Sequence, residues 1–195
     1  MDEKTLDYYR ENAEDFIKRT KDTEFNSMQD RFVKQLEPHA RILDFGCGSG
    51  RDALAFRKRG FQVEAIDGTE AFARQAELLG IPSRHLLYNQ FEDENRFDGI
   101  WACASLLHLS DEELSDTLAR IRRALKPGGY FYCSMKEGDF QGMRDGRWFH
   151  DQTPDSLREI LETSGFEIVE LYESQDVRPE QKGRPWVNAI SRKSR

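Results

Sequence analysis

Residues 42–50 read Ile-Leu-Asp-Phe-Gly-Cys-Gly-Ser-Gly, and this segment constrains the fold more than any other part of the chain. The apolar run predicts a buried parallel strand, and the alternate glycines predict a tight turn before a helix. Because glycine has no Cβ, the backbone of such a turn approaches a ligand closely. The predicted helix at 51–59 presents its positive N-terminal end to that ligand. The sequence therefore predicts a ligand-binding turn at a strand end.

The glycine spacing and two acids narrow the class of ligand. A dinucleotide-binding turn carries a third glycine where this chain has Arg51, so that fingerprint fails. Asp44, just before the glycines, suits a cationic group and would repel a pyrophosphate. Asp67 ends the next predicted strand, at the distance where an acid binds ribose hydroxyls. The pattern favours a ligand with a ribose and an amine but no diphosphate, and S-adenosylmethionine has those groups.

Four motifs together resemble a known family. They are Asp44-x-Gly46-x-Gly48-x-Gly50, Asp67, Phe97-Asp98 before a strand, and the turn at 125–129, Leu-Lys-Pro-Gly-Gly. In this order they resemble the class I S-adenosylmethionine-dependent methyltransferases over roughly residues 5–190. Gly50-Arg51-Asp52 and an N-terminal Tyr-Tyr pair are similar to small single-domain bacterial enzymes of the tellurite-resistance type. The resemblance implies S-adenosylmethionine as cofactor and S-adenosylhomocysteine as product.

The alternation of predicted strands and helices indicates an α/β fold, a doubly wound parallel sheet with helices on both faces. Two strands without a helix between them predict an antiparallel C-terminal hairpin. The resemblance implies seven strands in the order 3-2-1-4-5-7-6, with strand 7 antiparallel. Predicted helices span 5–19, 26–36, 51–59, 69–80, 110–125 and 153–165. Predicted strands span 41–45, 61–66, 85–90, 99–104, 130–135, 166–172 and 186–191, and 136–152 is a predicted loop.

Chain length and net charge limit the domain organisation and the classes of partner. The 195 residues predict one domain, or one domain with a small lid. The resemblance implies a single methyltransferase domain, 1–195, with an N-terminal helical lid at 1–38 and a Rossmann-like core at 39–195. No apolar run reaches the length of a membrane helix, and the acidic N-terminus is unlike a signal peptide, so we expect a cytoplasmic protein without membrane contact. A net charge of −7 makes nucleic acid an unfavourable partner. We expect a monomer or homodimer.

The cysteines and aspartates do not predict a metal site. Cys47, Cys103 and Cys133 form an odd set without short spacing, which argues against disulfides or zinc. Aspartates at 139, 145 and 151 are spaced too widely for a calcium loop. We therefore expect no metal.

Some cofactor-binding residues are predicted from the residue pattern, and others are implied by the resemblance. Asp44 and the turn 46–50 are assigned to the methionine end, and Asp67 to the ribose. The resemblance implies that Gln90 and Phe91 lie beside the adenine, that the Ala104 backbone lies near the cofactor, and that a tyrosine of the first helix closes over it. Arg51 is a candidate for the cofactor carboxylate or an exposed residue of the first turn. The predicted cofactor-binding set is Tyr9, Asp44, Gly46, Cys47, Gly48, Gly50, Arg51, Asp67, Gly68, Gln90, Phe91 and Ala104.

Candidate catalytic and substrate residues follow the fourth and fifth predicted strands. His108 is the natural candidate for a general base, or else a histidine with a structural hydrogen bond. The cations of the loop, interleaved with aromatic residues, indicate an acceptor that carries a carboxylate or phosphate, unless local acids neutralise them. The basic stretch 178–195 is a possible positive rim or a solvated tail. The predicted substrate-binding set is Lys136, Arg144, Arg147 and His150.

The sequence favours methyl transfer to a small, anionic molecule. Alternatives are a methyltransferase acting on RNA or a protein side chain, and a non-catalytic module that binds the cofactor. An RNA enzyme would show a basic face or an added domain, and neither is evident. A nicotinamide dehydrogenase is disfavoured by the glycine spacing.

Overall fold

Helices and strands alternate along most of the chain in the computed structural model, which describes residues 1–23, 25–177 and 185–194. The helices are α1 (Glu3–Glu11), α2 (Ala13–Thr20), α3 (Asn26–Val33), α4 (Arg51–Lys58), α5 (Glu70–Leu78), α6 (Asp111–Ala124) and α7 (Pro154–Thr163). The strands are β1 (Arg41–Phe45), β2 (Gln62–Asp67), β3 (Ser83–His85), β4 (Phe97–Cys103), β5 (Leu125–Lys136), β6 (Gln141–Arg144), β7 (Arg147–His150), β8 (Phe166–Gln175) and β9 (Pro185–Lys193). Short 3₁₀ turns span Tyr88–Gln90 and Leu106–His108. Arg178, Lys182, Arg184 and Arg195 of the predicted basic rim lie outside the described residues.

Seven strands form one sheet in the order β3-β2-β1-β4-β5-β9-β8. Strands β3, β2, β1, β4 and β5 are parallel, and β9 runs antiparallel to both β5 and β8. The predicted order and the antiparallel last strand are confirmed, since β8 and β9 are the sixth and seventh strands of the sheet. The strand order reverses between β1 and β4, and ligands of such sheets bind at the carboxyl ends of the strands at that point.

Two hydrophobic clusters cover the two faces of the sheet. Neighbouring residues of a strand point to opposite faces, and Ile42 belongs to one cluster while Leu43 belongs to the other. In the cluster that contains Ile42, the rings of Trp101 and Tyr132 stack with centroids 3.7 Å apart. Burial of both faces explains why the central strands are almost continuously apolar.

The N-terminal region differs from the single helix predicted at 5–19. The structure breaks that segment into α1 and α2 at Asn12, which lies outside helical geometry. The side-chain amide of Asn12 donates to the carbonyl oxygen of Tyr8 at 2.7 Å and so competes with the helical hydrogen bond that the Asn12 backbone N–H makes to the same oxygen at 3.0 Å. Across this break the rings of Tyr9 and Phe16 meet edge to face, with their centroids 5.6 Å apart.

The predicted loop at 136–152 is wrong, because β6 and β7 form an antiparallel hairpin there. Asp145 and Gly146 at its tip both have positive φ, 50° and 77°, as a two-residue hairpin turn of the primed type requires. The third strand is also misplaced in the prediction. It ends at His85, and Tyr88–Gln90 form a 3₁₀ turn in which Gln90 Oε1 accepts from the Leu87 amide.

Among the described residues, no helix has the length and apolar character needed to cross a membrane.

Candidate functional site

The glycine turn after β1 is held by backbone hydrogen bonds that it donates to β2. The amides of Gly46 and Cys47 both donate to the Ile66 carbonyl, at 2.9 and 3.1 Å. Gly46 has φ +82°, and a Cβ there would lie 2.4 Å from Tyr88 Oη and 2.5 Å from Ser105 Cβ. The turn therefore requires glycine at this position both for its conformation and for space. It borders a cavity of about 260 Å³ at the carboxyl ends of the strands.

Asp67 lies at the end of β2 and lines this cavity. Its Oδ2 accepts from the Gly48 amide at 3.0 Å, and its Oδ1 accepts from the Thr69 amide at 2.8 Å. Burial raises the pKa of Asp67 to about 6, and the two backbone hydrogen bonds oppose that rise. Because an ionised carboxylate offers about four acceptor positions, Asp67 retains acceptors for ligand hydroxyls.

Asp44 is a second buried carboxylate at the cavity. Its Oδ2 accepts from the Ala53 amide at 3.0 Å. Burial and then the neighbouring charge of Asp52 raise the pKa of Asp44 well above its ordinary value. A ligand cation placed beside Asp44 would reverse that effect, since an opposite charge favours the ionised form. The position therefore fits a cationic group, as the sequence predicts.

Arg51 is held in place by an ion pair and by an aromatic ring of the same chain. It forms an ion pair with Asp52 at 2.8 Å, and its guanidinium lies over the Phe25 ring at 3.9 Å. Asp52 also accepts from Gln29 and from the Trp101 indole. Arg51 borders the cavity, but its charge is already neutralised, so a bond to a ligand carboxylate would compete with Asp52.

Aromatic side chains from α1, α2 and α5 cover one side of the cavity. Tyr9, Phe16 and Phe72 contact one another, with ring centroids 5.2 to 6.1 Å apart. Tyr8 meets Tyr9 edge to face at 5.5 Å. The helical segment predicted as a lid therefore contributes rings to the same cavity as the glycine turn.

His108 follows β4 and lies in the cavity wall, with both ring nitrogens in hydrogen bonds. Its Nδ1 is 2.6 Å from the Trp148 carbonyl oxygen, and its Nε2 is 2.8 Å from Tyr9 Oη. Burial lowers the pKa of His108 to about 4. The imidazole is therefore neutral near pH 7, and neither nitrogen is available for an incoming proton without loss of a hydrogen bond.

The predicted substrate cations have different surroundings. Lys136 pairs with Asp176 at 3.0 Å, and Arg144 forms a two-point contact with Asp151 at 2.8 and 2.9 Å. Arg147 lies over the Tyr8 ring at 4.4 Å, and one of its nitrogens is 3.4 Å from Tyr9 Oη. These three cations line the cavity.

Four predicted site residues do not line the cavity. Gln90 is exposed, and Phe91 is fully buried in the core. His150 instead contacts the Leu109 carbonyl and Asp111, and Gly50 caps the start of α4 with φ 74°. The structure brings the remainder of the predicted set together around the cavity, namely Tyr9, Asp44, Gly46, Cys47, Gly48, Arg51, Asp67, Gly68, Ala104, His108, Lys136, Arg144 and Arg147.

Several cavity residues are absent from the sequence-based prediction. Tyr88 and Ser105 pack against the glycine turn, and Phe16 lies 3.1 Å from the Cβ position of Gly48. Phe16 is part of a helical apolar pattern, which does not distinguish a core residue from one that faces a ligand. Ala104 has φ 52°, an uncommon value for a residue other than glycine, at the turn that carries Ser105.

The sheet order and the glycine turn at its switch point define a doubly wound nucleoside-binding fold. The family profile described as "Methyltransferase domain" matches residues 9–171. The chain therefore belongs to the class I S-adenosylmethionine-dependent methyltransferase family.

Curated relatives and a solved structure agree with this family. Ubiquinone biosynthesis O-methyltransferase of Alkalilimnicola ehrlichii is 33% identical over 102 residues, which cover 48% of this chain and 40% of the relative. Malonyl-[acyl-carrier protein] O-methyltransferase of Salmonella typhimurium is 33% identical over 110 residues, which cover 54% and 43%. The match thus spans less than half the length of these relatives.

One solved structure is similar over nearly the whole chain. It is 1,6-didemethyltoxoflavin-N1-methyltransferase of Burkholderia thailandensis, solved with 1,6-didemethyltoxoflavin and S-adenosylhomocysteine. It superposes with a TM-score of 0.80 and 25% identity, covering 96% of this chain and 85% of the neighbour.

Proposed function

We propose that this protein transfers a methyl group from S-adenosylmethionine to a small, anionic acceptor. The observation that carries the proposal is the pair of buried carboxylates, Asp44 and Asp67, on adjacent strands at one cavity beside a glycine turn. Family membership supports the same donor. The structural neighbour's complex with S-adenosylhomocysteine adds support, since its fold covers 96% of this chain.

The residues present fit the proposed donor. Asp67 keeps acceptor positions beyond its two backbone hydrogen bonds, as ribose hydroxyls require. Asp44 offers a buried carboxylate to an amino group. Gly46 and Gly48 leave the space that a Cβ would fill, so the turn can lie close to a ligand.

When bound, S-adenosylmethionine supplies a methyl group already activated on a sulfonium. The contribution of the protein is then to align the acceptor and to exclude water. Tyr8, Tyr9, Phe16 and Phe72 form an apolar cover suited to that exclusion. The anionic acceptor is supported by Arg147 in the wall of the same cavity, because Lys136 and Arg144 are already paired with Asp176 and Asp151.

The first test is donor binding. Isothermal titration with S-adenosylhomocysteine should show saturable binding to the wild type, and Asp67→Ala should weaken it about tenfold or more, because a charged hydrogen-bond partner contributes about 1.5–3 kcal/mol. Asp116→Ala removes an acid on the α6 surface and serves as the control. Equal affinity in wild type and Asp67→Ala would remove the ribose assignment, and no binding by the wild type would refute the proposal.

The second test is turnover. Incubation with methyl-labelled S-adenosylmethionine and fractionated metabolites should label a small anionic compound. Label in RNA or protein would favour a macromolecular acceptor instead. Donor binding without label in any fraction would favour a non-catalytic cofactor-binding module.

A further inference from the structure

Arg147 differs from the other cations of the cavity in its partners. Lys136 and Arg144 are each paired with a carboxylate, whereas Arg147 forms no ion pair with any acid of the described residues. Its Nε is buried and has no hydrogen-bond acceptor in the described part of the chain. A buried donor without an acceptor costs free energy, so the guanidinium is incompletely satisfied in this protein.

Aromatic rings fix the position of the Arg147 guanidinium. It lies 4.4 Å from the centroid of Tyr8 and 5.1 Å from that of Phe149. A guanidinium that stacks on rings keeps its planar edge for hydrogen bonds, and that edge matches a carboxylate or phosphate with two parallel contacts. Because the rings already hold the Arg147 side chain, the guanidinium edge is oriented before a ligand binds, and binding costs less side-chain rotamer entropy.

A hydrogen-bond chain of fixed direction holds the same group. The Trp148 carbonyl can only accept, so His108 Nδ1 carries the proton, and neutral His108 Nε2 must accept from the Tyr9 hydroxyl. Tyr9 Oη is then an acceptor for Arg147 at 3.4 Å. The chain uses one of the five guanidinium donors and does not neutralise its charge.

We propose that Arg147 binds an oxyanion, a carboxylate or phosphate, on an aromatic acceptor, and that His108 is a positioning residue that orients Arg147 through Tyr9. This inference rests on the proposed function, because it takes the cavity to hold a methyl acceptor. The aromatic body of the ligand follows from the Tyr8, Tyr9 and Phe149 rings around the guanidinium. His108 acts in this arrangement as a hydrogen-bond acceptor, without taking up a proton.

The experiment compares matched probes on the wild-type protein saturated with S-adenosylhomocysteine. Titrations followed by NMR use benzoate, phenyl phosphate and the neutral analogue benzamide. We expect benzoate or phenyl phosphate to bind at least about tenfold more tightly than benzamide, the scale of one charge-assisted contact. The tighter of the two anions identifies the oxyanion. Equal binding of all three probes, or no binding of either anion, would overturn the inference.

Variants then assign the preference to Arg147. Arg147→Met should abolish the preference for the anion, and Arg147→Lys should reduce it because the planar edge is lost. Arg144→Met is the comparison, since Arg144 lines the same cavity and is already paired with Asp151. A loss in Arg144→Met as large as in Arg147→Met would contradict the assignment. Thermal unfolding and S-adenosylhomocysteine affinity are measured for each variant, so failure of donor binding is distinguished from failure of this inference.

The role of His108 has its own readout. His108→Ala should weaken benzoate binding several-fold with little change for benzamide, and His108→Gln should restore part of the loss because its carbonyl can accept from Tyr9. A merely structural role would weaken both probes equally, and that result would exclude the positioning role.

Discussion

At the scale of single residues, the site joins groups held by their own turn, such as Gly46, to groups held by distant segments, such as Arg147 and His108. Gly46 follows from a short motif because the backbone geometry of the turn requires glycine, and Asp44 and Asp67 follow from their positions at the ends of two successive predicted strands. The partners of Arg147 and His108 come from distant segments, and spacing along the chain carries no information about such contacts. The sequence makes His108 a candidate base or a histidine with a structural hydrogen bond, and its hydrogen bonds to Tyr9 and Trp148 favour the second, which is also the arrangement that the positioning role requires.

Gly46→Ala tests how strictly the turn requires glycine. Its Cβ would lie within 2.5 Å of Tyr88 and Ser105 atoms, and we expect a loss of about 1–3 kcal/mol in the free energy of unfolding, as for other overpacked sites, together with weaker S-adenosylhomocysteine binding. Gly60→Ala is the control, because Gly60 also has positive φ, +90°, but its Cβ position is 3.9 Å from the nearest atom outside its chain neighbours, His39 Nδ1. Equal losses in urea denaturation of the two variants would show that the close approach is unimportant.

At the scale of elements, the parallel strands and their order were predictable from hydrophobic runs and the family resemblance. The errors concern polar side chains that compete for backbone groups, at Asn12 and Gln90, and the hairpin of β6 and β7. The hairpin had a recognisable signal, Asp145-Gly146 between alternating residues, which the richness of the segment in glycine and charge obscured.

Thr5→Val tests whether α1 is anchored to this hairpin. Buried Thr5 Oγ1 accepts from the Trp148 amide at 2.8 Å, and the valine leaves that donor unsatisfied, at a cost of about 1–3 kcal/mol. We expect faster amide hydrogen exchange in α1 and β7 and a smaller change in the central strands. Thr5→Ser retains the hydroxyl and should keep the slow exchange of the wild type. If the Thr5→Val and Thr5→Ser variants show the same amide exchange rates in α1 and β7, the hydroxyl does not anchor α1.

At the scale of the whole molecule, two buried groups near the cavity couple protonation to folding with opposite signs. Burial lowers the pKa of His108 to about 4 and raises that of Asp67 to about 6. Between pH 6.5 and 4 the unfolded chain binds more protons at His108 than the folded chain does, so this group destabilises the fold as pH falls. Between about pH 6 and 4 the folded chain binds more protons at Asp67, so this group stabilises the fold as pH falls.

The difference in unfolding free energy between wild type and His108→Gln should therefore change with pH. From pH 6.5 to 4.5 the wild type should lose stability relative to the variant, with a limiting slope of about 1.4 kcal/mol per pH unit. Asp67→Asn is the opposite-sign control, and relative to it the wild type should gain stability over the acidic part of this range. Urea denaturation at several pH values measures both differences. If the unfolding free energies of wild type and His108→Gln change with pH in parallel, the His108 imidazole is not buried in its neutral form.

The cover of the cavity joins segments that are far apart in the chain. Tyr9 and His108 are separated by 99 positions, and Thr5 and Trp148 by 143. During synthesis the glycine turn leaves the ribosome long before β7 exists. A nascent chain that ends before the hairpin therefore has the turn and both carboxylates but lacks the surface on which α1 docks, so the cover of the cavity is completed only late in biosynthesis.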